Sequence, residues 1–404
     1  MKMKKESFFY AFVLWIALQH SLFAQSPQFE AQTIDNKVVI GYGLALGDVD
    51  GDGKNDIILA DKKQFVWYKN STLPKGEWKK YLIAENLTEA DNVCITARDI
   101  DGDGKVEIAV GAQWNPSETK DDAKSGAVFY LLRPKEVTSQ TWQAVCLHHE
   151  PTVHRMKWVK VGEKFALLVA PLHGRGNNVN AVPAMRDATL KEAGVKLLAY
   201  IVPKNPQTEE WAYTLLDESL HATHNFEIQE QEGITTVFVG GKEGIKKIVC
   251  KEGKWQKATW QVQEHGFGEV RLGVFGSKKQ FISGIEPMHG NELSVYSIEN
   301  QGERQSLFKD FNQGHALACA DVLGLGYDQI IAGWRNPNSQ NKVGIKLFIP
   351  DKEGKNWTEY TLDDNSMACE DLQVADLDND GDLDIVAAGR ATNNLIIYWN
   401  QRKK

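Results

Sequence analysis

Apolar and polar positions alternate with a period of two over most of this chain, in short runs that end on turn residues. That period sends successive side chains to opposite faces of a strand. Beyond the first two dozen residues no stretch sustains a helical period, apart from a possible turn near 188–193. One kind of run recurs with an aromatic at its head: Trp78 with Tyr81 and Ile83, Trp142 with Val145 and Leu147, Trp211 with Tyr213 and Leu215, Trp357 with Tyr360 and Leu362. Residues 255–260 and, more weakly, 304–308 repeat it. Aromatic and β-branched enrichment at this spacing predicts half-exposed strands.

Four strands per unit divide the chain into seven units. The first has strands at 42–47, 56–60, 64–69 and 78–83, and the second runs from about Asn92 to Leu147. The third has 154–159, 166–171, 195–201 and 211–215; the fourth 224–229, 235–240, 244–250 and 255–260. The fifth runs from Glu269 through 280–285 and 293–298 to Phe308, and the sixth from His315 through 329–334 and 344–349 to Leu362. The seventh supplies only 371–375, 384–388 and 395–400. Its missing outer strand is matched by 29–34 at the other end of the chain. The expected fold is all-β: a seven-bladed β-propeller with four-stranded blades, its last blade closed by an N-terminal strand that removes two sheet edges at once. Length alone suggests two or three domains; regular repetition argues instead for a single domain over residues 25–404.

Composition changes this picture in three places. Lys2, Lys4 and Lys5 precede a short apolar run from Phe8 to Leu18, and Ala24 offers a small residue before a cut at Gln25. Residues 1–24 therefore read as a secretory signal with no lipid-anchoring Cys, and the mature protein is expected to be secreted or periplasmic, with no membrane span. The net charge of −8 has no basic footprint for nucleic acid. Five irregularly spaced cysteines argue against a disulfide framework; Cys94, Cys319 and Cys369 fall in inner strands as small buried hydrophobes.

Much of the acidity sits in three copies of one phrase. Asp48, Asp50, Asp52 and Asp56 occupy positions 1, 3, 5 and 9 of the first; Asp99, Asp101, Asp103 and Glu107 of the second; Asp376, Asp378, Asp380 and Asp384 of the third. Carboxylates so spaced around a tight turn offer hard oxygen ligands to calcium. The position-12 Glu of an EF-hand is absent, replaced by Leu59, Val110 and Ala387, and strands flank each loop. A solvated acidic turn is the alternative. Asp321 to Asp328 is a decayed fourth copy.

These loops join first to second strands, on one face of the ring. All nine histidines after the leader fall on the other, in blade connections, at starts of inner strands or just after second strands. His154, His224 and His315 open inner strands in similar register and would ring the channel mouth, converging on a transition metal such as zinc or manganese or merely hydrogen bonding across the channel. His173 and His289 follow second strands, each before a Gly, as a candidate acid–base pair or as turn packing. Arg175, Arg335 and Arg390 would hold an acidic group. Trp114 and Trp334 offer plates for sugar rings, though blade packing serves as well for either one, and His149 and Asn291 complete the candidate contacts. The insertion at 177–194 is the longest connection and a candidate lid.

The acidic phrase resembles the calcium loop of FG-GAP/VCBS-type repeats, which build β-propellers. The seven-unit pattern, the run Glu286-Pro287-Met288-His289-Gly290-Asn291 and the histidine-rich face resemble the aldos-2-ulose dehydratase propeller and the propeller polysaccharide lyases that cleave rhamnosyl-glucuronate and ulvan. The resemblance implies β-elimination beside a carbonyl or carboxylate on a sugar. Matching the needs of that reaction to the residues assigns the metal to His154, His224 and His315, acid–base work to His173 and His289, and an acidic group or the developing oxyanion to Arg175, Arg335 and Arg390. The dehydratase carries further domains that this chain does not match. A carbohydrate-binding or calcium-dependent adhesion propeller, monomeric like the enzyme, is the competing expectation.

Overall fold

Strand β1 (Phe29–Asp35) is first in the chain and last in the ring. It pairs antiparallel with β29 (Leu395–Asn400), inside which lie β28 (Asp384–Gly389) and β27 (Cys369–Ala375), completing blade 7. Blade 1 contains β2 (Gly43–Gly47), β3 (Asp56–Ala60), β4 (Gln64–Lys69) and β5 (Lys79–Glu85). Blade 2 contains β6 (Cys94–Arg98), β7 (Glu107–Ala112), β8 (Ala127–Leu132) and β9 (Gln143–Leu147); blade 3 β10 (Val153–Val161), β11 (Lys164–Pro171), β12 (Leu197–Ile201) and β13 (Tyr213–Asp217). In blade 4, β14 (Thr223–Gln231), β15 (Ile234–Gly241) and β16 (Gly244–Lys251) are followed by β17 (Lys254–Trp255) and β18 (Thr259–Gln263), both on β16. Blade 5 has β19 (Val270–Val274), β20 (Gln280–Glu286), β21 (Glu292–Ser297) and β22 (Arg304–Phe308). Blade 6 has β23 (Gly314–Ala320), β24 (Gln329–Trp334), β25 (Gly344–Pro350) and β26 (Trp357–Asp364). The innermost strands β2, β6, β10, β14, β19, β23 and β27 each touch the next, and β27 touches β2, so the seven blades close a propeller.

The computed structural model describes residues 27–71, 75–177, 193–263, 265–299 and 303–402. The leader, most of the blade 3 insertion and all but the last residue of the possible turn near 188–193 lie outside them. No helix of the described residues is long and apolar enough to cross a membrane. Several boundaries shift by about two residues, and the largest departure from expectation is in blade 4. The outer strand of blade 4 is Thr259–Gln263, not 255–260, because the chain first makes a two-residue pairing at Lys254–Trp255. Trp255 and Trp260 both pack on the core between blades 3 and 4, so their period does not reveal the interruption.

Each blade presents an apolar face to its neighbour, and the core is accordingly divided among seven seams. Trp67, Phe65 and Ile58 of blade 1 meet Ile108, Val110 and Trp142 of blade 2, and equivalent clusters fill the others. Full burial of one such side chain stabilises by about 1.5–3 kcal/mol. The seam between blades 4 and 5 is the thinnest among the described residues, resting on Phe238, Ile245, Phe267, Val270, Ile282 and Tyr296. All five cysteines are unpaired; Cys94 and Cys369 are buried as expected, while Cys319 is only half-buried.

The clasp is held by more than its ladder. The Trp399 indole donates to Gln32 Oε1 at 2.7 Å, the Tyr68 hydroxyl donates to Asp35 at 2.7 Å, and Phe29 and Ile34 pack on the two flanking seams. Deleting residues 27–35 exposes the edge of β29, whose side chains are buried. The expected outcome is a thermal midpoint lower by roughly 5–10 °C, with association through the free edge. Unchanged melting and an unchanged sedimentation coefficient would count against the clasp as the closure.

Candidate active site

Four inner strands break register at the same height. The ladder steps from Val153 to Arg155 in β10, Thr223 to Phe226 in β14, Gly314 to Ala316 in β23 and Cys369 to Asp371 in β27. A bulge leaves its extra residue unpaired and re-aims that side chain. The residues released are His154, His224 with Asn225, His315 and Glu370. Blade 5 keeps its register, and Glu269 occupies the same height just before β19. His289 arrives from the turn after β20 with φ 53°, and a Cβ on the following Gly290 would lie 2.0 Å from the Glu286 carbonyl oxygen, so only glycine fits there.

These devices gather His224, His289 and His315, with one nitrogen of each lying within 4.8 Å of the others. His224 Nε2 is 2.7 Å from His289 Nε2, and His315 Nδ1 donates to the Glu370 carbonyl oxygen at 2.6 Å, leaving its Nε2 as a lone pair. Glu269 Oε1 lies 3.1 Å from His224 Nδ1, although neither atom makes an aligned hydrogen bond. Burial lowers the pKa of all three rings, and the charge of Arg335 and Arg155 lowers them further, with Glu269 opposing at His224. Burial alone would raise the Glu269 carboxyl, but His224 and Arg271 outweigh it and hold it at about 2. Neutral imidazoles backed by a carboxylate and a backbone carbonyl are the donor arrangement of a metal-binding histidine set. These three rings could hold a transition metal.

His154 is beside this group but not of it. Its ring is 4.5 Å from that of His224, yet Nδ1 donates to the His224 carbonyl oxygen at 3.0 Å and Nε2 faces Arg155 Nη1 at 3.3 Å. Both nitrogens are engaged, so the converging trio is His224, His289 and His315 in place of the expected His154, His224 and His315. His289 thereby moves from the expected acid–base pair into the ligand set. Its expected partner His173 is buried in blade 3 with Nδ1 unpartnered, and burial pushes its pKa down to about 4. No ring contact joins it to the trio among the described residues.

The arginines separate in the same way. Glu370 accepts from Arg335 Nη1 with both oxygens at 2.8 Å and from Arg390 Nη1 at 2.9 Å. Gln313 takes Nε and Nη2 of Arg335, which is thus committed to the scaffold. Arg390 is more open and lies over the Tyr42 ring. Arg175 is tied to Glu150 and Asp122, both at 2.9 Å, away from the trio. Arg155 makes no ion pair among the described residues and faces a channel cavity of about 250 Å³ shared with Arg271 and Asp371. Trp114 lies over His154 at 5.1 Å, half-buried, whereas Trp334 is buried against Phe311 and serves blade packing. His149 is half-buried against the Glu150 carbonyl oxygen, and Asn291 is exposed with its amide on Lys309. Sequence reasoning missed Glu269, Glu370 and Arg155. Extending the register of His154, His224 and His315 to blades 5 and 7 would have found the two carboxylates.

The acidic loops lie on the opposite face. Position 1 caps each turn: Asp48 accepts from Gly51 and Gly53 at 2.6 Å, and Asp99 from Gly102 at 2.7 Å and Gly104 at 3.0 Å. Position 9 closes the loop from below. Asp56 accepts from Val49 at 2.9 Å, Glu107 from Ile100 at 3.0 Å and Asp384 from Leu377 at 3.1 Å. Carboxylate oxygens converge within 4.8 Å in Asp48/Asp50/Asp56, Asp99/Asp101/Glu107 and Asp376/Asp378/Asp384. The fifth-position residues are outside these trios: Asp52 receives Lys69, Asp103 lies 3.5 Å from Arg133, and Asp380 accepts from Asp382 N. Burial pushes Asp56, Glu107 and Asp384 up to about 7, and Asp50 Oδ1 is buried without a partner. Such sets fit a hard divalent cation. In the decayed blade 6 copy, position 9 is Gln329. Its oxygen accepts from Leu323 at 2.8 Å while its nitrogen donates to the Tyr327 carbonyl oxygen at 2.6 Å and approaches Asp321, so that loop closes on an amide.

Calcium added to chelator-treated protein is expected to raise the thermal midpoint, through a gain in unfolding free energy of about 2.7 kcal/mol per site at a hundredfold excess over Kd. Asp48→Asn with Asp50→Asn should remove one site's share; a midpoint indifferent to calcium would mark the loops as solvated turns. His173 is kept neutral, so its stabilisation is complete above its ordinary pKa near 6.5 and is lost as pH falls towards about 4. His173→Gln should flatten stability against pH across that window, by up to about 1.4 kcal/mol per pH unit. An unchanged slope would show that this ring is not the titrating group.

Residues 48–110 match the FG-GAP-like repeat, spanning the first two acidic loops. Residues 125–299 match the β-propeller domain of aldos-2-ulose dehydratase, which takes in His154, His224 and His289. No curated protein matches the chain. Among solved structures, BBS1N in complex with ARL6DN, soaked with mercury, superposes with a TM-score of 0.56 at 13% identity, covering 93% of this chain and 97% of that one. The WD40 β-propeller domain of Doa1 gives 0.53 at 8% identity, covering 93% and 98%. At such identities the likeness is one of fold. The chain is a seven-bladed propeller with an FG-GAP-like repeat, similar from the outer half of blade 2 into blade 5 to the propeller of aldos-2-ulose dehydratase.

Proposed function

We propose that this chain is an exported carbohydrate lyase or dehydratase that performs β-elimination on an acidic or keto sugar. The observation that carries the reading is the convergence of three neutral imidazoles, His224, His289 and His315, at the bulged height of the inner strands. The match of residues 125–299 to a sugar dehydratase propeller supports the substrate class. We assign zinc or manganese to the trio and calcium to the loops on the other face.

Removing the proton α to a carbonyl or carboxyl leaves an enolate whose charge must be held. A metal on the trio would supply Lewis acidity towards that oxygen. The protein's own residues do the rest. Glu269 and the Glu370 carbonyl orient His224 and His315, and the Glu370 carboxylate fixes Arg335 and Arg390 at the rim. Arg390, held by one nitrogen only, keeps donors for an acidic substituent, and Arg155 adds positive charge from the channel side. Trp114 supplies an apolar plate beside His154. Arg335 acts through Glu370, so Arg335→Lys should loosen the rim without removing a direct substrate contact.

Protein loaded with zinc or manganese is expected to generate the ultraviolet band of a conjugated enone or unsaturated uronate from uronate-containing or keto sugars. His224→Ala should lower bound metal, with activity falling in proportion to occupancy. Wild-type protein that binds such sugars yet never yields an unsaturated product would instead be a sugar-binding propeller.

A further inference from the structure

With His289 in the ligand set and His173 buried in blade 3, neither histidine expected to transfer the proton is placed to do so. A pocket of about 400 Å³ opens at the seam of blades 4 and 5, lined by His265, Gly266, Glu286, Pro287, Asn291 and Arg304, among others. No ring of the trio lines it, but the backbone that carries His289 runs beside it. The turn that carries His289 begins at Glu286, and a Cβ on Gly268, three residues after His265, would meet His289 N at 3.1 Å. This is the seam with the thinnest apolar packing, so polar groups replace core there.

Those groups are locked together. The buried Glu286 accepts from the Tyr296 hydroxyl at 2.6 Å and from Arg304 Nη2 at 3.0 Å. Arg304 Nη2 also reaches Glu292 at 2.6 Å and Ser294 Oγ at 2.9 Å, and Nε donates to the Tyr296 hydroxyl at 3.0 Å. Glu286 and Glu292 are directly opposite across β20 and β21, so the guanidinium separates two like charges. His265 stands at the mouth, 45% exposed, with Nδ1 3.5 Å from Glu286 Oε2. The two make no aligned hydrogen bond, but negative charge on the Nδ1 side favours the tautomer that carries its proton there and leaves Nε2 as a lone pair. Outside the trio, a second His–carboxylate pair, His221 and Glu243 at 2.8 Å, has a partly exposed carboxylate and lines neither this pocket nor the channel cavity.

We propose that this pocket seats the sugar ring undergoing elimination and that His265, oriented by Glu286, is its proton-transfer residue; the assignment rests on the elimination reading above. His265 Nε2 takes the proton α to the carbonyl or carboxyl, and the C–H electron pair becomes the carbon–carbon double bond as the β carbon–oxygen bond breaks. The imidazolium then returns its proton to the departing oxygen. The ring is neutral again, and the products are the unsaturated sugar and one molecule of water or alcohol. Asn291 and Glu292 offer a donor and an acceptor for ring hydroxyls, which suits a sugar over an apolar ligand.

The test uses metal-loaded protein and whichever uronate or keto sugar the wild type converts. His265→Gln should lower kcat by about 10²–10⁴-fold with bound metal and thermal midpoint unchanged. Free imidazole should restore part of the rate to His265→Ala, because the site is open, and His221→Gln should stay within about threefold of wild type. A His265→Gln rate within threefold of wild type, a loss that follows metal content, or the opposite behaviour of the two histidines overturns the assignment while leaving the elimination reading standing. If wild type forms no unsaturated product, the proton-transfer role falls with that reading. The pocket is then judged by NMR titration with D-glucuronate and D-fructose: a shifted His265 ring resonance, lost in His265→Gln, sustains a sugar subsite, and an unmoved one removes it.

Discussion

One strand taken from the beginning of the chain and paired with one from its end holds the ring closed. Each blade can bury its faces only against two neighbours, so an open ring would leave two apolar sheets and two ladder edges in water. Closure does something further. It brings seven inner strands around one axis in a common register, and a residue at a given height in one blade faces the same height in the next. A small local irregularity repeated in several blades therefore becomes a convergent site.

The bulges at His154, His224, His315 and Glu370 are that irregularity, and they impose an electrostatic problem. Imidazoles and carboxylates removed from water must be neutral or paired. The histidines solve it by staying neutral. Glu370 solves it with two guanidinium groups, and Glu269 with Arg271 and the Asn225 amide at 2.7 Å. Removing one member of such a set leaves an uncompensated buried charge, at a cost of about 3–5 kcal/mol. The network thus fixes the trio's orientation more firmly than packing alone would.

Blade number, strand boundaries, the clasp and the segregation of histidines from acidic loops were legible in the sequence because each follows from period-two alternation and turn residues. Membership of the histidine group was nearly so. Its internal order was not. Whether His154 or His289 completes the trio depends on where a bulge turns the one ring and the turn after β20 carries the other, and neither leaves a mark on hydrophobic pattern. Arg335 and Arg175 read as free cations because their carboxylate partners, Glu370 and Glu150, are distant in sequence. Trp334 read as a sugar plate although it sits on Phe311, since an aromatic at a strand end looks the same wherever its ring points.

The amide of Gln329 divides the ring into two regimes. The acidic loops belong to blades 7, 1 and 2, which are consecutive around the axis and include the clasp; blade 6 closes its equivalent loop with side-chain hydrogen bonds. An environment poor in divalent cations would therefore loosen one contiguous sector, the one where the chain's two ends meet, while blades 3 to 6, which carry the imidazole trio, lose nothing directly. Sub-global opening should begin at the clasp sector and spread inward from its two seams. With calcium on those loops, as proposed, a fall in its concentration would shorten the lifetime of the fold while sparing the imidazole trio on the far side of the ring.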